Sequence, residues 1–210
     1  MPRRVKKAPK KIYEVIATNI FKNRVLGEAW ASKPETLLGR KIEISVADTT
    51  GDFTHENYKM WFKIISYDES RAYATFVKEA LRADYVRSII RRRTSRVDVF
   101  TRGETSDGHL IHYFNLIVTE RRVRKSKEQA IRSIANQIMA DLIPKLTIDE
   151  LVISAIFSEP HDIRGTIIKE AGKIARIQLV EPLKIEVIKL PVKIAEGGGK
   201  IVESVAVSSG

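Results

Sequence analysis

The sequence predicts an α+β fold: a β-barrel-like N-terminal half joined to an α/β C-terminal half, with a mobile basic arm in front. Three observations carry this. Short runs rich in β-branched and aromatic residues, several of them alternating, fill residues 12–120. Helical periodicity dominates after residue 125. The first eleven residues are cationic, hold two prolines, and have too little apolar surface to offset the entropy of ordering. The expected divisions are a basic arm over 1–11, a β-rich barrel-like domain over 12–122, a helix-rich α/β domain over 123–191, and a flexible Gly- and Ser-rich tail over 192–210.

In chain order, the β-like runs are IYEVIA at 12–17, RVLGEAWA at 24–31, RKIEISVA at 40–47, KMWFKIISY at 59–67 and AYATFVKE at 72–79. Turn-forming clusters separate them, as in DTTGD and YDESR. Ile42, Ile44 and Val46 alternate and should face a core together. From residue 80 to 93 the period changes. Leu81, Tyr85, Val86, Ile89 and Ile90 then share one helical face, which puts Arg91, Arg92 and Arg93 in the last turn, where cations complement the helix dipole. A hairpin follows over 95–102 and 109–120, turning at Asp107-Gly108, its second strand apolar on both faces. Ser126 with Gln129, and Thr147 with Glu150, fit capping boxes opening two helices. Residues 163–174 read as a third helix and 176–191 as a strand interrupted at Pro182.

Charge is the most informative number. The chain has 210 residues, with 37 Lys and Arg against 26 Asp and Glu, a formal charge of +11. Sixteen cations fall in three acid-free runs. Arg3, Arg4, Lys6, Lys7, Lys10 and Lys11 form the first; Arg87, Arg91, Arg92, Arg93 and Arg96 the second; Arg121, Arg122, Arg124, Lys125 and Lys127 the third. The rest of the chain is mildly acidic. Blocks of like charge repel one another, so folding alone does not favour them; they mark a surface for a polyanion. The two internal runs favour arginine, whose planar fork suits phosphate oxygens. No recognition helix, zinc finger, RNP or GxxG signature is present, which favours shape-directed docking on folded RNA over base reading.

Catalytic and cofactor signals are thin. The chain has no cysteine, which excludes disulfides and thiolate metal sites. His109 and His112 sit three apart in a predicted strand, on opposite faces, and cannot chelate one metal from there. Asp48, Asp52, His55 and Glu56 crowd the turn DTTGDFTHE, where Asx-turn chemistry explains them without a cation. GTIIKEAGK at 165–173 lacks P-loop spacing and reads as helix. Trp30, Trp61 and Phe62, lying inside strand runs, are expected in the core. No catalytic residue, metal or cofactor is assigned.

GRKIEISVADTTGD (39–52), SRVDVFTRGETSDGHLIHYFNLIVTERR (95–122) and the ending DELVISAIF…KIEVIKLP, in this order and spacing, resemble the archaeal and eukaryotic small-subunit ribosomal protein S-three-Ae family, also called eS-one. The similarity runs over about residues 10–191. It implies a non-catalytic component of the small ribosomal subunit, cytoplasmic within the ribosome. That component binds ribosomal RNA on the platform near the messenger exit, beside neighbouring platform proteins; direct contact with messenger RNA is left open by the resemblance. It also implies a barrel-like domain joined to an α/β domain. Eukaryotic members have longer termini, so this chain looks archaeal. The family's RNA-facing segments map onto the N-terminal arm and residues 121–127. The rival reading is a dissociable RNA-binding translation or assembly factor. An RNA-cleaving enzyme using Asp48, Asp52 and His55 is a weaker third.

Overall fold

The structure, a computed structural model, describes residues 9–18, 20 and 24–189. Most of the expected arm and all of the expected tail, with Arg3, Arg4, Lys6 and Lys7, lie outside the described residues; Lys11 is already the first residue of a strand.

The first five strands follow the alternating runs closely. They are β1 (Lys11–Ala17), β2 (Val25–Ala31), β3 (Lys41–Ser45), β4 (Tyr58–Tyr67) and β5 (Arg71–Leu81). Alternation shows as burial: Tyr58, Met60, Phe62 and Ile64 of β4 are all inside, with Lys59, Trp61 and Lys63 between them more open. After β3 the chain turns into a short α1 (Val46–Thr50), so Val46 is buried from a helix and not from the strand expected to reach residue 47. The helical pattern from residue 80 also resolves differently. β5 continues to Leu81 and α2 spans only Ala83–Ile89. Arg91, Arg92 and Arg93 follow the helix instead of ending it.

The hairpin is β6 (Arg96–Glu104) and β7 (Leu110–Thr119), with Gly108 at a φ of +80° supplying the left-handed turn residue. Then come α3 (Lys125–Leu142), α4 (Ile148–Phe157), α5 (Ile163–Ala171) and β8 (Ile177–Lys189). Thr147 and Glu150 form the expected capping box of α4. The box expected at Ser126 and Gln129 is absent. The Glu128 N–H bonds to the Arg124 carbonyl, so the helix begins one residue before Ser126, with Arg124 as an uncapped N-cap.

Pairing makes one open sheet in the order β2-β1-β5-β8-β7-β6, with β3-β4 branching from β5. β5 takes β4 along one side; on the other it takes β1 near its start (Ala74 with Ala17) and β8 near its end (Lys78 with Glu186). The α+β class is therefore realised as a forked sheet with five α-helices. No ladder among the described residues closes it into a barrel. β8 is the central strand between β5 and β7, although it comes last in sequence; at Pro182, where a break was expected, the ladder only shifts register. No described helix is long and apolar enough to cross a membrane.

One half-buried guanidinium holds the layers together. Arg164 of α5 donates to the carbonyls of Ala155 (2.7 Å from Nη2) and Ile156 (3.2 Å), which end α4. It also donates to the Tyr58 hydroxyl of β4 at 2.7 Å and pairs with the Glu181 carboxylate of β8 at 3.2 Å. The Tyr58 hydroxyl in turn donates to Glu181. Burial, then the Glu181 charge, pushes the Tyr58 hydroxyl upward, so it stays a donor. A second carboxyl, Glu79 of β5, is fully buried nearby and makes no hydrogen bond of standard geometry. Burial raises it well above the ordinary range, more than the Arg164 charge and the Ile185 backbone lower it. With one guanidinium for two carboxyls, Glu79 is held neutral.

Two outcomes follow. Arg164→Met should cost about 3–5 kcal/mol, because it leaves Glu181 as an uncompensated buried charge; urea unfolding measures it. Glu79 favours its protonated form in the fold, so its contribution is complete below the unfolded value near 4.5 and declines as pH rises from there. Glu79→Gln removes that decline. The parent should lose more stability than the variant between about pH 5 and 8 in pH-stepped denaturation; parallel curves would contradict the assignment.

Candidate nucleic-acid interface

Two of the three basic runs, about 25 residues apart in the chain, meet in space. A threonine and a serine staple them. The Thr119 N–H donates to the Ser95 carbonyl and the Ser95 N–H to Thr119 Oγ1, both at 3.0 Å. Ser95 Oγ accepts from the Val123 N–H at 3.1 Å, and Thr119 Oγ1 donates to the Arg121 carbonyl at 2.7 Å. Both side chains are buried, so the crossing is rigid while the cations around it point outward. On one side a tight turn carries Arg91, Arg92 and Arg93. Thr94 closes it by donating to the Arg91 carbonyl, and Arg93 has a φ of +69°. A non-glycine residue there is strained by roughly 1–2 kcal/mol, a cost that points to the position of its side chain. On the other side run Arg121, Arg122, Arg124, Lys125 and Lys127, all exposed.

These cations are largely unneutralised. Among the described residues, Arg91, Arg92, Arg93, Arg121, Arg122 and Arg124 make no ion pair. Arg96 is different, engaged by Asp98 at 2.8 Å, and Arg87 and Lys125 have only distant partners at 3.9 Å, Asp84 and Glu128. Arg124, Lys125 and Lys127 also occupy the first turn of α3, the positive end of its dipole. The dipole argument that could excuse Arg91–Arg93 in a last turn fails on both counts: those residues lie beyond α2, and this group sits at the wrong end of α3. An anion would satisfy the cations and the uncapped N–H groups together.

Further cations join the site singly. The Glu120 N–H donates to the Arg176 carbonyl at 3.0 Å, and Lys127 reaches the Ile174 carbonyl at 3.4 Å. This brings Lys173 and Arg176 to the same joint, although each is partly answered by an acid, Glu170 and Glu120. Reading runs of charge could not find them, because they are isolated in sequence. Lys10 and Lys11 are not brought in. β1 runs parallel to β5 and starts at its opening end, while the joint lies beyond the far ends of β5 and β7. At about 3.3 Å per residue, the separation along the strands is on the order of 60 Å.

The alternative site residues have local explanations. Asp52 caps the turn Phe53–His55 by accepting from the Thr54 N–H at 2.9 Å, and His55 packs edge-on to Phe157 at 4.6 Å. No group of three or more His, Asp or Glu among the described residues is arranged to hold a metal. His109 is buried in the hairpin turn, and burial lowers its pKa. Of the three aromatics expected in the core, Phe62 is buried and Trp61 half-buried, but Trp30 is 54% exposed on edge strand β2.

Residues 4–191 match the model of the Ribosomal S3Ae family. Among curated proteins, the chain is 34% identical over 182 residues to the small ribosomal subunit protein eS1 of Staphylothermus marinus, covering 87% of this chain and 84% of that one. It is 33% identical over 201 residues to the eS1 protein of Saccharolobus islandicus, covering 96% and 93%. With the eS1 protein of Desulfurococcus amylolyticus the figure is 36% over 182 residues, covering 87% and 84%.

Arg124→Asp removes a cation from the helix N-terminus and supplies a capping carboxylate. The variant should be more stable than the parent by about 1 kcal/mol, a rise of roughly 2–4 °C in Tm for a chain of this size. Calorimetry of the isolated protein reads this, and a fall in Tm would contradict the dipole argument.

Proposed function

The chain belongs to the Ribosomal S3Ae family, and from that premise we propose that it is a structural constituent of the small ribosomal subunit. There it binds ribosomal RNA through the stapled basic joint. The family is one of structural ribosomal proteins and not of enzymes. The observation that carries the RNA assignment is the set of six exposed arginines with no acidic partner among the described residues, held around a rigid crossing beside the positive end of an 18-residue helix. Guanidinium forks and free N–H groups at one place match phosphate oxygens in charge and in hydrogen-bonding geometry.

The folded scaffold suits a structured RNA. The joint is a prearranged group of cations, so it docks on the backbone of a helix or junction by shape. Arg3, Arg4, Lys6, Lys7, Lys10 and Lys11 make a second contact with the same RNA. The distance of Lys10 and Lys11 from the joint allows the protein to brace two RNA elements. Resemblance to the family supports a position on the platform near the messenger exit, in cytoplasmic ribosomes, beside other platform proteins; the mildly acidic remainder of the surface suits basic neighbours.

The test is Arg121→Glu with Arg122→Glu and Arg124→Glu. Binding to small-subunit RNA should weaken, and the slope of log affinity against log salt should fall by roughly two to three, one phosphate per lost arginine. Incorporation into subunits in cells should drop in parallel. A triple variant that assembles normally and keeps the parental salt slope would remove the joint from the interface.

A further inference from the structure

Away from the helices, the sheet exposes a face that the RNA reading above leaves unused. In β6, Val97, Val99 and Thr101 point under α3, where Thr101 bonds to Asn136 at 2.9 Å. Arg96, Asp98, Phe100 and Arg102 therefore point to the opposite side. Register places Phe114 across from Phe100 and His112 across from Arg102, then Lys184 and Glu186 of β8 beyond them. Phe100 lies 4.9 Å from Phe114 and 5.1 Å from His112, ring centre to ring centre. The hairpin's second strand was expected to be covered on both sides; here Phe100 is 46% exposed and His112 and Phe114 are only half-buried.

Cations border the rings. Lys184 stands 5.7 Å from the Phe114 ring centre, and Arg102 makes no ion pair among the described residues. Two strands further on, Lys78 of β5 lies 4.6 Å over the Trp61 ring of β4, on the same face. The acids within this row are already engaged, Asp98 by Arg96 and Glu186 by Lys184; Glu104 stands at the far end of β6.

We infer that this face binds unpaired RNA, with a nucleobase stacked on Phe100 beside Phe114 and His112, and its phosphates on Arg102 and Lys184. The inference rests on the RNA-binding reading of the joint and extends it. β6 starts at Arg96, beside the joint, and Phe100 is four residues along, on the order of 13 Å. A strand leaving a structured element held at the joint therefore runs directly onto the rings. A protein partner fits less well. Among the described residues of β6, β7 and β8, Phe100 is the only strongly exposed large hydrophobic, too little for an apolar interface core, whereas one or two rings flanked by cations are what base stacking uses.

The test uses the full chain and an unstructured ten-nucleotide oligouridylate. Phe100→Ala should weaken binding roughly tenfold without changing the salt slope, because no phosphate contact is lost; Phe100→Trp should restore it. Equal affinity of Phe100→Ala and the parent overturns the proposal, as does an equal loss in Phe100→Ala and Phe100→Trp. If Phe100→Ala leaves oligonucleotide binding intact yet lowers incorporation into subunits, the face serves a protein neighbour and the proposal falls. Failure of the joint reads differently: it would appear as an unchanged salt slope in the Arg121, Arg122 and Arg124 triple variant, whatever Phe100 does.

Discussion

The contact on which the architecture turns is the Arg164 guanidinium, which ends α4, meets Tyr58 and pairs with Glu181. Each partner belongs to a different element, so one side chain fixes α4, α5, β4 and β8 against one another. A buried ion pair of this kind adds little net stability compared with apolar packing. Its value lies in specificity. Only one placement of β8 brings Glu181 to the guanidinium, and a slip by one residue would turn the carboxylate to the other face and orphan both charges. Glu79 completes the balance as a neutral acid, its oxygens too deeply buried to carry charge.

Setting β8 in place also builds the interface. The strand begins next to the joint, where Arg176 accepts from the Glu120 backbone and the neighbouring Ile174 carbonyl accepts from Lys127. Charge is treated in opposite ways at the two places. In the core, every charge has a partner or is suppressed by protonation. At the joint, arginines stand without acids, on a helix end that repels them and on a backbone held in part at positive φ. A sequence selected for the stability of the isolated chain would have placed Asp or Ser at position 124. Arginine there leaves the helix end short of negative charge, a deficit that a bound anion would fill.

Much of the local structure was legible because it is set by short-range chemistry. Alternation located β1 to β5 within a residue or two, Asp107-Gly108 located the hairpin, and Thr147 with Glu150 located the start of α4. What escaped depends on distant residues. Nothing between residues 177 and 189 reveals that this strand enters between β5 and β7. The helix expected from residue 80 forms only from Ala83 because Ala80 pairs with Lys184, keeping the residues before it in the sheet. Ser126 looked like a cap, but the Ser95–Thr119 staple sets the path of the chain and starts the helix earlier. Of the site, the runs of cations were visible, while their meeting was not, nor were Lys173 and Arg176. Glu79 and Glu181 gave no sequence signal beyond being acids in apolar strands, which could have marked them. Trp30 and Phe100 show the limit of the rule that strand aromatics are buried, since burial depends on whether a second layer covers that face.

This dependence on long-range pairing has a consequence for the order in which the parts become competent. The hairpin β6–β7 and α3 are contiguous, and the Ser95–Thr119 staple lies within them, so the core of the joint is local in sequence. The ladder of β8 on β7 and the Arg164–Tyr58 bond join residues more than fifty positions apart and come at a greater entropic cost of chain closure. Without β8, the hairpin would expose its inner edge, and Lys127 and Glu120 would lose the carbonyl and N–H contacts that orient them. The cations exist as soon as the hairpin and α3 form, but their fixed geometry depends on the last strand. A polyanion met early would therefore encounter a loose cationic cluster, and one met after β8 has docked would encounter a shaped surface. The shape-directed docking proposed for the joint needs the second, and on that proposal the Arg164–Glu181 pair supports the site through the position of β8.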